Sequence, residues 1–189
     1  MTHPTLSTHN LSGFTLIEVL ISILILSIGI IGAIKMQLIS IQTTQQSNYF
    51  SIAVELATEM ADKMRCNGDQ MRSTSNPFLK VNFSASKDKI EYPTTCFDVN
   101  CTPDQLASSD ISEWLQSIKA SLPNSRAVIC RDDSPWDDSK NSLAWDCTDS
   151  GNKSSVVIKL GWTDKNEVSP NASQISPPQL AIPVIPYIN

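Results

Sequence analysis

Residues able to carry out chemistry are few and unevenly placed in this chain of 189 residues. The only two histidines are His3 and His9, so the rest of the chain offers neither a Ser-His-Asp nor a Cys-His arrangement. No G-x-G-x-x-G or G-x-x-x-x-G-K-[ST] motif is present to cradle a phosphate group. Carboxylate pairs occur, but no spacing singles out a general acid and a general base. The sequence therefore predicts a protein that is not an enzyme and that needs no cofactor.

Acidic residues outnumber basic ones, 19 to 14, which argues against a nucleic-acid partner. The densest acidic stretch is residues 131–149, named here the acidic loop, with six aspartates. Asp132, Asp133, Asp137 and Asp138 could gather around Ca²⁺, but the EF-hand spacing is absent. Because an exposed, solvated loop is the commoner outcome of such a stretch, we predict no metal site.

Glu18 is the single charged residue in an apolar run of 21 residues, 14–34. About 20 helical residues cross a bilayer core of roughly 30 Å, so the run predicts a membrane-spanning helix. A cleaved secretory signal has a shorter apolar region behind a basic segment, whereas residues 1–13 contain no Lys or Arg. A buried core helix rarely stays apolar on every face for this length. The carboxylate of Glu18 must be neutralised or lie near the interface, because a charge in hydrocarbon is costly.

The apolar pattern continues beyond Lys35 in a different form. Apolar residues recur there at spacings of three and four, while charged residues fill the other faces, as is typical of an amphipathic helix. No proline interrupts the chain between Pro4 and Pro77. We therefore predict one helix from about residue 14 to about residue 65, whose second half packs on a globular domain. The stripe consists of Tyr49, Ile52, Ala53, Leu56, Met60 and Met64.

The string Ser12-Gly13-Phe14-Thr15-Leu16-Ile17-Glu18 resembles the class III signal of type IV pilins and pseudopilins. The resemblance implies that a prepilin peptidase cleaves between Gly13 and Phe14 and then N-methylates Phe14. It also makes Glu18 the fifth residue of the mature chain. Because Phe14 and Glu18 are four residues apart, they share one helix face. Glu18 can thus neutralise its own terminal amine or that of the next subunit in an assembly.

Three segments of the long helix resemble the PilV family of type IV pilus modification proteins: residues 27–32, 53–57 and 61–67. The resemblance implies a minor pilin that packs its N-terminal helix with other minor pilins and the major pilin. Such a protein would prime or cap the pilus. A minor pseudopilin of type II secretion stays open as an alternative. A tip-exposed pilin domain that acts as a binding or adhesion module, with a tip adhesin as partner, is the other.

This resemblance divides the chain into a cleaved leader (1–13), a membrane and filament-core half of the helix (14–35), an amphipathic half (36–66) and a periplasmic domain (67–189). It implies a single pass through the inner membrane, and a place in the pilus at the cell surface after assembly. Charge alone would orient the helix differently, because the leader lacks Lys and Arg and Lys35 follows the span. The orientation is therefore taken from the resemblance.

The globular part is predicted to be an α+β domain in which the long helix packs on a small antiparallel sheet, as in type IV pilins. Thr102-Pro103 predicts a helix start, and the helix should run to about Leu122. Residues 126–131 and 154–163 show strand patterns, and Asp88–Tyr92 a weaker one. The proline-rich tail fits an edge segment or a docked coil. The apolar face of the second helix is predicted to be Leu106, Ile111, Trp114, Leu115 and Ile118.

The five cysteines are expected to form disulfides, since an exported domain meets oxidising conditions. Sequence alone does not choose the pairing. We favour the two short loop closures, Cys96–Cys101 and Cys130–Cys147, which leave Cys66 at the end of the long helix. Zinc binding is disfavoured, because both histidines lie in the leader.

Overall fold

The structure is a computed structural model. It divides into two compact units, residues 1–45 and 46–189. The residues that it describes are 13, 15–73, 75–91, 96, 99–151, 154–163 and 176–184.

Helix α1 runs from Leu16 to Cys66 and has 51 residues. The sequence prediction of a helix from about residue 14 to about 65 is thus confirmed from residue 16 onward. In the first unit every described residue is exposed. Ser22 and Ser27 do not interrupt the helix, because the hydroxyl of each donates to the carbonyl four residues earlier, at 2.7 Å. Polar side chains satisfied in this way are compatible with an apolar surrounding.

The second unit contains a four-stranded antiparallel sheet whose strands lie in the order β1 (Asn82–Ser84), β2 (Arg126–Arg131), β5 (Val156–Gly161) and β6 (Leu180–Val184). One face of α1 packs on it through Ala53, Leu56, Ala57, Met60, Ala61 and Met64, which all belong to the core. This is the α+β arrangement that the sequence predicted. The remaining elements are α2 (Gly68–Arg72), a 3-10 turn (Pro77–Lys80), α3 (Pro103–Ser121), β3 (Trp136–Asp137) and β4 (Ser142–Leu143).

Helix α3 begins with a complete capping box. The Thr102 side chain accepts from the Gln105 N–H, and the Gln105 side chain accepts from the Thr102 N–H. The predicted apolar face is wrong at Leu106, which is 43% exposed, whereas Ala107 is fully buried. Helical geometry explains this: Ala107 lies two turns before Trp114 on the same face, while Leu106 is rotated from it by about 80°.

The first strand is not where the sequence placed it. Residues 88–91 form no strand, and Tyr92 lies outside the described residues. The strand is β1, and the chain turns directly after it, because the Asp88 carboxylate accepts the Ser84 N–H at 2.7 Å. The strand predicted at Asp88–Tyr92 is therefore wrong in position, and the observed strand precedes that segment.

The C-terminal tail contributes an edge strand, as its prolines suggested. Strand β6 pairs with β5 on one side only, and Pro183 lies opposite Val157. A proline lacks the N–H that a central strand would need, and an edge position tolerates this loss. Residues 185–189 of the tail lie outside the described part.

Strand β5 is buried on both faces, which its alternating sequence did not indicate. Val156, Ile158 and Leu160 face the core formed with α1. Val157 and Lys159 point to the opposite face, and they are buried as well. The acidic loop, which carries the β3–β4 hairpin, covers that face: its carbonyls at residues 144 and 146 accept from Lys159.

Candidate functional site

The first unit presents an apolar surface around the whole helix. Its most apolar 18-residue window has a mean hydropathy of 2.6, and none of it is buried. By length and composition this helix could cross a membrane, and it is the one such helix among the described residues. The exposed large side chains include Leu16, Ile17, Leu20, Ile21, Leu24, Ile25, Ile28 and Ile31. A surface of this kind needs lipid or other apolar helices around it.

Glu18 is the single acid within this surface and lies in the first turn of α1. Its backbone N–H donates to the Thr15 carbonyl at 3.1 Å, which begins the helix. A carboxylate here is favoured by the positive end of the helix dipole. Gly13 is exposed, and Phe14 lies outside the described residues. The predicted pairing of Glu18 with the Phe14 amine therefore stays a prediction.

In the second unit, Lys63 of α1 forms an ion-pair cluster with α3. Its ammonium lies 3.0 Å from Glu59, 3.1 Å from Glu113 and 3.8 Å from Asp110. Burial alone would lower the pKa of Lys63, but the hydrogen bonds to Glu113 and Glu59 outweigh burial and raise it. Burial raises the pKa of Asp110, which lies in the same cluster. This cluster positions α3 on α1 and has no catalytic geometry.

Buried contacts complete the docking of α3. Trp114 is fully buried, and its indole N–H donates to the Leu56 carbonyl at 2.7 Å. The sequence assigned Trp114 to the apolar face of α3 but gave no sign of this hydrogen bond.

Four cysteines form two disulfides, Cys96–Cys101 and Cys130–Cys147, with Cα atoms 5.7 and 6.3 Å apart. These are the pairs that the short loop lengths favoured. The second disulfide closes most of the acidic loop, because residues 131–146 lie between Cys130 and Cys147. Cys66 is a free, exposed thiol at the end of α1.

The aspartates of the acidic loop do not converge on one point. Asp133 accepts from the Ser150 N–H and the Ser154 hydroxyl, whereas Asp137 pairs with Lys140 at 2.7 Å. The hydrogen bonds from Lys140 and Ser139 lower the pKa of Asp137 to about 2. No group of three potential metal ligands occurs in the described part of the chain. The loop charges thus have separate structural partners.

Asp132 has the partner that sequence reasoning missed. Its carboxylate and the ammonium of Lys159 are both fully buried, and Nζ lies 2.5 Å from Oδ2. The strand pattern of residues 154–163 gives no sign that Lys159 is buried. The sequence signal that could have indicated a buried Asp132 is its position two residues after Cys130. Asp132 lies at the start of the acidic loop, which returns to cover β5.

The acidic loop is fixed by its tryptophan at residue 145. The indole N–H of Trp145 donates to the Ser176 carbonyl at 2.7 Å, and the Arg126 guanidinium lies 4.4 Å from the ring centre. Gly161 lies directly beneath, where a Cβ atom would come within 2.8 Å of the ring. Trp136 in the hairpin, by contrast, is 47% exposed.

The fold and the site together define a protein with one apolar, membrane-compatible helix and a disulfide-bonded α+β unit. Residues 9–34 match the family model described as the prokaryotic N-terminal methylation motif. Residues 35–112 match the model described as type IV pilin Tt1218. No curated protein and no solved structure matches the chain.

The chain is therefore type IV pilin-like over residues 9–112, and its methylation motif is of the kind that pilus components carry. Pilin domains are structural proteins. The two family matches imply that a prepilin peptidase processes this chain and that the chain assembles with other pilins.

Proposed function

We propose that this protein is a minor pilin of the PilV family that takes part in assembly of the type IV pilus. The observation that carries the proposal is the exposed apolar helix with its single acid, Glu18, inside the matched methylation motif. In this proposal the helix packs against those of other minor pilins and of the major pilin. The α+β unit selects the neighbours, and the complex primes or caps the pilus.

Processing creates the partner of Glu18. The prepilin peptidase cuts between Gly13 and Phe14 and methylates Phe14, whose amine stays cationic. In an apolar surrounding an unpaired carboxylate is strongly penalised, so the charge pair sets the register of neighbouring helices. Before assembly the protein crosses the inner membrane once, with its C-terminal domain in the periplasm. Mass spectrometry of the purified protein should find an N-methylated Phe14 as the first residue, and a start at Met1 would contradict this processing.

The substitution Glu18→Ala tests the assembly step. We expect normal cleavage after Gly13, because the cut lies outside the changed side chain, together with loss of co-purification with other pilins. Glu55→Ala is the matched control, since Glu55 is an exposed acid farther along α1. Equal recovery of pilin partners by wild type and Glu18→Ala would refute the role of the charge pair.

Deletion of the gene separates the proposed role from its alternatives. Loss of surface pili with normal enzyme secretion supports the minor pilin. Loss of secreted enzymes with normal pili would instead assign the chain to the type II secretion pseudopilus. Normal pili that no longer attach to surfaces would point to a tip module that works with an adhesin.

A further inference from the structure

The Lys159–Asp132 pair is unusual because a complete ion pair is enclosed in a small unit. Both side chains have no exposed area, and Nζ lies 2.5 Å from Oδ2. Removing two opposite charges from water costs several kcal/mol per ion unless geometry and hydrogen bonds compensate. The burial of both charges therefore calls for a structural or chemical role that a solvent-exposed ion pair would not have.

The groups around the pair hold each end in a fixed direction. The ammonium donates to the carbonyls of Ala144 at 2.7 Å and Asp146 at 2.6 Å, so two of its three N–H groups have backbone acceptors. On the carboxylate, Oδ1 accepts the backbone N–H groups of Ser134 and Thr148, each at 3.1 Å. Oδ2 accepts no hydrogen bond among the described residues, although Nζ of Lys159 lies 2.5 Å from it.

We propose that Lys159 and Asp132 condense into an intramolecular amide, an isopeptide bond between Nζ and Cγ. A proton first passes from the ammonium to Oδ2, which leaves a neutral amine next to a carboxylic acid. The nitrogen lone pair then attacks Cγ, and the negative charge develops on Oδ1. The Cγ–Oδ2 bond breaks, and Oδ2 leaves as water with the second proton from Nζ. The reaction consumes one ammonium and one carboxylate and yields one amide and one water, with no oxidant or reductant.

Proximity and the donors at Oδ1 favour the attack of Nζ on Cγ. Nζ is held 2.5 Å from Oδ2 of the carboxyl group that it would attack, which replaces a bimolecular encounter. In well-oriented cases such proximity corresponds to effective molarities of about 10⁵–10⁸ M. The N–H groups of Ser134 and Thr148 form a preorganised pair of donors where the oxyanion develops.

The amide would join β5 to the first residue after β2. It would close the acidic loop a second time, beside the disulfide between Cys130 and Cys147. Unlike a disulfide, this link resists thiol reductants. The inference concerns the second unit alone, so it stands whether or not the protein proves to be a minor pilin.

Intact-mass measurement of the full chain tests the proposal, after reduction and alkylation of the disulfides. The wild type should be lighter by one water molecule than the mass calculated from its observed N-terminus. Peptide sequencing by mass spectrometry should find a branched peptide that joins residues 132 and 159. Asp132→Asn should lose ammonia instead of water and reach the same final mass as the wild type. Lys159→Arg keeps a cation but has no primary amine, so it should retain its full mass.

Lys140→Arg is the matched control, because Lys140 and Asp137 form an ion pair of similar length that is open to water. This variant should show the same mass deficit as the wild type. Full mass for the wild type, with unlinked peptides after prolonged incubation at neutral pH, would overturn the proposal and leave an ion pair only. That result does not depend on any variant folding.

Discussion

The contact between Trp114 of α3 and the Leu56 carbonyl of α1 allows a quantitative test of how the second unit is held together. Trp114→Phe removes the 2.7 Å hydrogen bond and part of a fully buried ring. A net hydrogen bond contributes about 1 kcal/mol to stability. The lost packing and the small cavity contribute about 1 kcal/mol more. We therefore expect the free energy of unfolding to fall by about 2 kcal/mol, which lowers the melting temperature by roughly 4–8 °C for a unit of this size.

The assay is urea unfolding of the oxidised full chain in detergent, followed by far-ultraviolet circular dichroism. Trp136→Phe is the control, because it is the same chemical change at a side chain that is 47% exposed. It should alter the free energy of unfolding by no more than about 0.5 kcal/mol. Equal effects of the two substitutions, or a change below about 0.5 kcal/mol for Trp114→Phe, would refute the role of Trp114 in holding α3 on α1.

Two further predictions concern the acidic loop. Gly161→Ala should lower the free energy of unfolding by about 1–3 kcal/mol, because its Cβ would overlap a Trp145 ring held by Ser176 and Arg126. Gly68→Ala, whose Cβ would make only ordinary contacts, should be near neutral in the same urea titration, and a harmless Gly161→Ala would contradict the close packing. The pKa of Asp137 is lowered to about 2, so its stabilising pairs are present above about pH 4 and are lost as the pH falls toward 2. In a pH series of unfolding measurements, Asp137→Asn should therefore reduce the loss of unfolding free energy between about pH 4 and pH 2. Asp138→Asn is the control and should leave this loss unchanged. The same loss in wild type and Asp137→Asn would show that the pair does not stabilise the fold.

Local patterns were sufficient for much of this protein. The apolar run from residue 14 to 34 predicts a helix compatible with a membrane, because length and hydropathy are properties of the segment itself. Thr102-Pro103 predicts the start of α3, since a cap depends on neighbouring residues only. The signal that contains Gly13 and Glu18 is equally local, and the methylation-motif match covers it.

Features that depend on neighbours distant in sequence were decided by the tertiary structure. Lys159 occupies a polar position in an alternating strand, and only the return of the acidic loop over β5 buries it. Ala107 is buried and Leu106 is exposed, because Ala107 lies on the same face of α3 as Trp114, which contacts α1. The sequence by itself determined the long apolar helix, its acid and its processing signal. The tertiary structure decided which charges are buried, because burial depends on what covers a residue and not on the residue alone.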